Sequence, residues 1–117
     1  MPVNHRPVRS LRVLLDPPDP ALALRLGLQP DIEVVRDLTA RPAVALVEEV
    51  ATAAAILTDD PECRVLVMTG SAHPGLPEAV LAAGAAGLVL RDGPLEELAD
   101  SIRRASMGET VIDPVLG

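Results

Sequence analysis

Four charged or hydroxyl side chains each follow a short apolar run of this chain, and together they could bind a metal ion or an anion. They are Asp16, Asp19, Thr69 and Arg91. Carboxylate oxygens suit Mg²⁺, whereas a hydroxyl donor beside a guanidinium suits an anion such as phosphate. A structural interpretation is favoured for each of them. Asp19 precedes a proline and predicts a helix N-cap, Asp16 is a turn acid, Thr69 caps a strand end, and Arg91 pairs with a nearby acid.

Whether these side chains meet depends on the elements that carry them. Short apolar runs, each ended by proline, glycine or charge, predict strands that are buried on both faces. The predicted strands are Arg12–Leu15, Ile32–Val35, Arg64–Met68 and Gly87–Leu90. Helices are predicted after Asp19 and over Pro42–Thr58, Pro77–Ala83 and Pro94–Met107. This alternation predicts a parallel sheet covered by helices on both faces, with function at the carboxyl ends of the strands.

Composition excludes several classes of function. The chain has 117 residues, 49% of them hydrophobic, which is enough for one packed domain. A net charge of -7 and the absence of aromatic residues argue against binding nucleic acid through this chain alone. The absence of lysine excludes Schiff-base chemistry and a Walker-type phosphate loop. Neither His5 nor His73 has metal-ligand spacing, so no metal and no cofactor are predicted. The single Cys63 and the lack of a membrane-length apolar run favour a cytoplasmic protein.

Four segments of the sequence resemble the second half of a response-regulator receiver domain. They are Arg64–Thr69, Ala79–Asp92, Pro94–Leu98 and Gly108–Pro114. The class they resemble is the NarL/FixJ type, in which a LuxR-type helix-turn-helix follows the receiver. Arg12–Leu15 and Pro30–Val35 match the first two strands of such a domain. The resemblance implies a CheY-like (flavodoxin-like) three-layer α/β/α sandwich, expected here to be truncated to four or five parallel strands.

The family transfers a phosphoryl group to an aspartate, and this chain departs from the residues that such chemistry needs. The acidic pair that would hold Mg²⁺ falls on Pro17–Pro18, which have no ligand atoms. Thr69 keeps the family's hydroxyl, Arg91 replaces its lysine, and no aromatic switch residue stands near Leu88. The resemblance therefore implies a vestigial phosphorylation pocket around Asp16, Asp19, Thr69 and Arg91, without a metal.

The segment between Val35 and Arg64 is too short for the family pattern, and three placements compete. The favoured one is a single helix over Pro42–Thr58 with the family's third strand deleted. The second matches residues 41–48 to that strand, so that Glu48 takes the position of the phosphoacceptor as a mimic of the phosphorylated state. The third puts Asp59 there, which leaves only about five residues for a parallel crossover and is the least favoured. Glu48 could equally lie on a solvated helix face.

The favoured hypothesis is a degenerate receiver that is not an enzyme. Residues 1–10 would form a flexible arm, residues 11–110 the atypical receiver, and residues 111–117 the start of a linker to a DNA-binding domain outside this chain. The domain would regulate transcription independently of phosphorylation, without contacting a membrane, and would form a homodimer through an apolar face left exposed by the missing layer. Two alternatives stay open: a pseudo-receiver that senses a small molecule in the vacated pocket, and a phosphorelay receiver that is phosphorylated on Asp59 or Glu48.

Overall fold

A computed structural model describes residues 10–116 as six strands and four α-helices that alternate along most of the chain. The predicted N-terminal arm lies outside the described residues except for Ser10. The elements are β1 (Leu11–Asp16), α1 (Pro20–Gly27), β2 (Ile32–Val35), a short 3-10 helix (Leu38–Ala40), β3 (Val44–Val47), α2 (Val50–Asp59), β4 (Arg64–Thr69), α3 (Leu76–Ala82), β5 (Gly87–Leu90), α4 (Leu95–Ser106) and β6 (Val111–Ile112).

All six strands form one parallel sheet in the order β2-β1-β3-β4-β5-β6. Alternate side chains of each strand enter two separate cores, as the two-residue period of a strand requires. On one face Leu26 of α1 and Ile102 of α4 pack against the sheet, and on the other face Ile56 of α2 and Val80 of α3 do so. The predicted three-layer sandwich is confirmed, but the prediction of four or five strands was too low.

The middle of the chain folds differently from the favoured prediction. The single helix over Pro42–Thr58 was wrong, because Val44–Val47 forms β3 and only Val50–Asp59 is helical. All four residues of β3 are buried, since the strand lies between β1 and β4 with a helical layer on each face. In such a strand every position is apolar, so its sequence does not alternate and its valines also fit a helical spacing.

The chain passes from β2 to β3 without an α-helix. Residues 36–43 cross over β1, and only one 3-10 turn interrupts them. Eight extended residues reach about 26 Å, whereas the connection spans two strand spacings, about 10 Å, and the length of a short strand, about 13 Å. The helix that is missing from the family pattern is therefore the one between the second and third strands, and no strand is lost.

This missing helix does not leave the sheet exposed. Leu14 of β1 and Ala45 of β3 face the layer where the helix would lie, and both are buried. Val35 and Leu38 of the crossover pack against the same cluster. The expected exposed apolar face is therefore absent from this part of the sheet, and the exposed large apolar side chains lie elsewhere. They are Leu24, Leu28, Leu81, Met107 and Val115.

The segment predicted to begin a linker is packed against the domain as far as Leu116. Val111 and Ile112 form β6, which pairs with β5 at the edge of the sheet. Leu116 is buried in the same cluster as Val80 and Leu88. Gly87 permits this arrangement, because a Cβ at that position would lie 1.8 Å from the carbonyl oxygen of Val111.

A bidentate ion pair joins α4 to the loop between α1 and β2. Arg103 donates from Nε and from Nη2 to the two carboxylate oxygens of Asp31, at 2.8 and 2.9 Å, and Nη2 also donates to Gln29 Oε1 at 2.8 Å. The hydrogen bond from Arg103 is the main reason that the pKa of Asp31 lies below its ordinary value of 3.8. Of the ion pairs within residues 10–116, this one has the least exposed partners.

Replacing Gly87 with alanine is expected to destabilise the domain strongly. The added methyl group overlaps the backbone of β6, so β6 must separate from β5 or the backbone must shift, at a cost of about 2 kcal/mol or more in the free energy of unfolding. Urea denaturation measures this change. Gly27→Ala is the matched control: its Cβ would have no atom within 4 Å, and its effect is expected to be neutral or stabilising by up to about 1 kcal/mol. Equal effects of the two substitutions would contradict this account of β6.

The Asp31 ion pair is expected to make folding stability depend on pH in the acid range. Because the folded pKa of Asp31 is depressed, its contribution is fully present above the ordinary value of 3.8 and is lost as the pH falls through the folded pKa. Asp31→Asn should therefore cost about 1 kcal/mol at neutral pH and nothing at the acid end. Urea denaturation across this range measures the difference. Glu33→Gln, which removes the exposed 4.0 Å pair with Arg12, should have a smaller effect at every pH.

Candidate functional site

An ion pair bridges the carboxyl ends of β3 and β5. Glu48 directly follows β3 and Arg91 directly follows β5, and Nη2 of Arg91 lies 3.3 Å from Oε2 of Glu48. The side chain of Glu48 is 37% exposed and that of Arg91 is 44% exposed. Because β4 lies between the two strands, the pair spans about 10 Å of sheet, which two long side chains can cover. The pair thus lies across the sheet edge where parallel α/β folds place their sites.

Thr69 ends β4, the strand between these two, but its hydroxyl is bound within its own loop. Its Oγ1 donates to the carbonyl oxygen of Ser71 at 2.9 Å, and the backbone N–H of Ser71 donates back to Oγ1 at 3.4 Å. Ser71 Oγ lies 3.1 Å from Nε2 of His73. The proton of the Thr69 hydroxyl is therefore engaged in the loop, as the structural interpretation of this residue expects.

The two aspartates near β1 do not form a metal site. Asp16 is the last residue of β1 and is exposed. Asp19 is the N-cap of α1, and its Oδ1 accepts a hydrogen bond of 3.1 Å from the backbone N–H of Leu22. Pro17–Pro18, between them, offer no side-chain ligand atoms. Nowhere in residues 10–116 do three or more metal-binding side chains cluster, so the residues present do not fit the magnesium site of the family pattern.

Asp59 lies away from this edge. It is the last residue of α2, which starts near the carboxyl end of β3 and runs back toward the start of β4. The placement of Asp59 at the end of the third strand was therefore wrong, and Glu48 occupies that position. The solvated helix face proposed for Glu48 was also wrong, because this residue precedes the N-cap of α2, Glu49.

Two curated relatives from Bacillus subtilis (strain 168) match the chain. One is an uncharacterised transcriptional regulatory protein, YvfU, which is 32% identical over 97 residues, or 82% of this chain and 46% of the relative. The other is the transcriptional regulatory protein DesR, which is 31% identical over 112 residues, or 82% of this chain and 56% of the relative. The chain thus spans about half the length of the curated relatives it matches. No family model matches the chain.

Solved receiver domains share the fold of this chain. The signal receiver domain of NarL from Mycobacterium tuberculosis superposes with a TM-score of 0.72 at 23% identity, over 86% of this chain and 99% of that one. A LuxR-family two-component response regulator from Aurantimonas sp. SI85-9A1 superposes with a TM-score of 0.78 at 18% identity, over 90% of this chain and 91% of that one. By its fold, this chain is a receiver domain of the response-regulator type. No helix within residues 10–116 of this receiver is long and apolar enough to cross a membrane.

In this receiver the acidic residue that follows the third strand is already paired with the cation that follows the fifth. An anion at this edge would have to compete with Glu48 for Arg91, and it would meet the repulsion of the Glu48 carboxylate at close range. The arrangement can therefore hold its own charges together, and the two groups that could bind an incoming phosphoryl group, Arg91 and Thr69, are already engaged.

The position where the resemblance expects an aromatic switch residue is filled by aliphatic side chains. Leu88 on β5 is 1% exposed, and Leu116 packs into the same cluster. The backbone N–H of Asp113 donates to the carbonyl oxygen of Leu88 at 3.0 Å, which fixes the start of the turn that carries Leu116. Leu116 could not be identified from the sequence, because a single leucine two residues after a proline carries no periodic signal.

Cys63 has a structural role in this receiver. It is buried, and burial, with a smaller contribution from the nearby charge of Asp60, raises the pKa of its thiol to about 11. The protonated thiol is neither a good nucleophile nor a good metal ligand. The interpretation of Cys63 as a small packing residue therefore fits its position directly before β4.

Proposed function

We propose that this receiver regulates transcription without aspartyl phosphorylation and without catalysing a reaction of its own. The observation that carries the proposal is the 3.3 Å ion pair between Glu48 and Arg91 at the edge where the family's phosphoacceptor and lysine would stand. A glutamate side chain paired with an arginine would give this edge a charge that no phosphodonor changes. The regulator would then respond to its own abundance or to binding partners rather than to a phosphodonor.

Electrostatics support a fixed state at this site. Phosphoryl transfer requires charge neutralisation of the transferred group, which in this family Mg²⁺ and a lysine provide. Here the ligand positions are Pro17–Pro18, and the guanidinium of Arg91 faces Glu48 instead. Glutamate also carries one more methylene than aspartate, so its carboxylate reaches across the end of β4 toward Arg91. In length, the side chain of Glu48 is thus closer to a phosphorylated aspartate than an unmodified aspartate would be.

Binding to DNA would require a domain outside this chain. The net charge of -7 repels a phosphate backbone, and the two curated relatives, about twice as long, are named transcriptional regulatory proteins. By analogy, the receiver would be the N-terminal module of a cytoplasmic regulator, with a LuxR-type helix-turn-helix after Gly117. The folded turn that ends at Leu116 would connect the two domains.

The receiver would act as a homodimer through the exposed surface of α1 and the end of α4. Leu24 on α1 is 71% exposed, and Leu28, directly after α1, is 77% exposed. Met107, directly after α4, is 70% exposed. Arg103, one turn before Met107, binds Gln29, the residue after Leu28, so these ends of the two helices are neighbours. Because only three large apolar side chains form this patch, we expect a weak dimer.

Phosphodonor treatment is expected to leave the protein unmodified. Incubation with acetyl phosphate and Mg²⁺ should add no phosphoryl group, by intact-mass spectrometry, to the wild type, to Glu48→Gln or to Glu48→Asp. The physical reason is that the chain lacks both the acidic pair that would hold Mg²⁺ and the lysine that would neutralise the transferred group. An ordinary receiver with its full acidic pair, treated in parallel, shows that the donor is active. A mass gain in the wild type that disappears in Glu48→Gln would overturn the proposal, and a gain that disappears in Asp59→Asn would do so through the other acid.

Charged substitutions in the patch formed by Leu24, Leu28 and Met107 are expected to dissociate the dimer. Leu28→Glu or Met107→Glu would place like charges across a symmetric interface, so the apparent mass in sedimentation equilibrium should fall to that of a monomer at concentrations where the wild type dimerises. Leu81→Glu on α3, on the other side of the sheet, is the control and should leave the mass unchanged. A wild type that is monomeric at high micromolar concentration would contradict this interface, as would dissociation by Leu81→Glu alone.

A further inference from the structure

A cavity of about 580 Å³ opens between the start of α1 and the carboxyl ends of β1 and β2. Its volume lies within the range of small-molecule sites. Most of its wall is aliphatic, and the side chains that carry the argument are Leu15, Ala23, Leu24 and Val34. The lining also includes two charged residues, Asp19 and Arg36. Neither Glu48, Thr69 nor Arg91 takes part, so the cavity is separate from the ion-paired edge.

The charged groups of this cavity have opposite signs and free bonding capacity. Arg36, directly after β2, belongs to none of the ion pairs within residues 10–116. Asp19 uses Oδ1 for the N-cap of α1, and an ionised carboxylate can accept several further hydrogen bonds, including some at its second oxygen. The cavity therefore combines an apolar wall with one unpaired cation and one anion that can take another donor.

We propose that this cavity binds an aliphatic α-amino acid. Its apolar side chain lies against the leucines and valines, its carboxylate pairs with Arg36, and its ammonium group pairs with Asp19. This zwitterion balances both charges of the cavity, whereas a simple carboxylic acid leaves Arg36 satisfied but faces the negative charge of Asp19. A simple amine leaves Arg36 without a partner. The proposed ligand site is thus a further function of the receiver, beyond its role in transcription.

Four small molecules test each part of this recognition by titration calorimetry on the full chain. Leucine carries all three groups, 4-methylpentanoate lacks the ammonium group, 3-methylbutylamine lacks the carboxylate, and glycine lacks the side chain. Leucine is expected to bind tightest, each of the other three about fivefold or more weakly, because each loses a charged or an apolar contact. If glycine binds as tightly as leucine, or if leucine shows no binding at millimolar concentration, the proposal is wrong.

Two charge-removing variants assign the contacts. Arg36→Gln should abolish the preference for leucine over 3-methylbutylamine and keep the preference over 4-methylpentanoate. Asp19→Asn should do the reverse, and because asparagine caps a helix as well as aspartate does, the fold is retained. Arg25→Gln removes the same charge from α1 outside the cavity and should leave binding unchanged. Ala23→Leu, which fills the cavity, should abolish binding. Equal losses with Arg36→Gln and Arg25→Gln would overturn the assignment, as would full binding in Ala23→Leu.

Discussion

The pairing of β3 between β1 and β4 determines which acid faces Arg91. Once Val44–Val47 is hydrogen-bonded on both sides, the next residue along the chain must emerge at the carboxyl edge of the sheet, and that residue is Glu48. This pairing depends on the short crossover from β2, because residues 36–43 bring the chain past β1 to the position of β3 without an intervening α-helix. The charge arrangement at the edge therefore follows from backbone register, and a shift of one residue would turn Glu48 away from Arg91.

The ion pair contributes more to the identity of the site than to the stability of the fold. Both side chains are well exposed, and pairs of this kind typically add less than about 1 kcal/mol. The stability of the fold comes from the two apolar cores and from better-buried ion pairs, such as the one between Asp31 and Arg103 of α4. Loss of the Glu48–Arg91 pair would therefore leave the sandwich intact.

Sequence analysis predicted the layered architecture and the ends of most elements, because these depend on local signals. The N-cap at Asp19 was predicted from the proline that follows it, and α4 from its apolar stripe and ordered charges. The error at Pro42–Thr58 arose because a four-residue strand buried on both faces has no alternation to distinguish it from a helical turn. The site could be predicted only as alternatives: which acid meets Arg91 is a tertiary fact that appears in no local pattern. The same holds for the burial of Leu116 and for the cavity beside α1, because both depend on how separate elements pack together.

The course of the tail has a mechanical consequence. Because β6 runs parallel to β5, the chain leaves the sheet at the edge that carries Arg91, and it then folds back so that Leu116 enters the core beside Leu88. A force applied to the polypeptide beyond this leucine acts first on the layer beneath α3, rather than on the outer strand. Because the side chain of Leu116 is packed inside the core, a displacement of residues 113–116 must also displace the side chains that surround it.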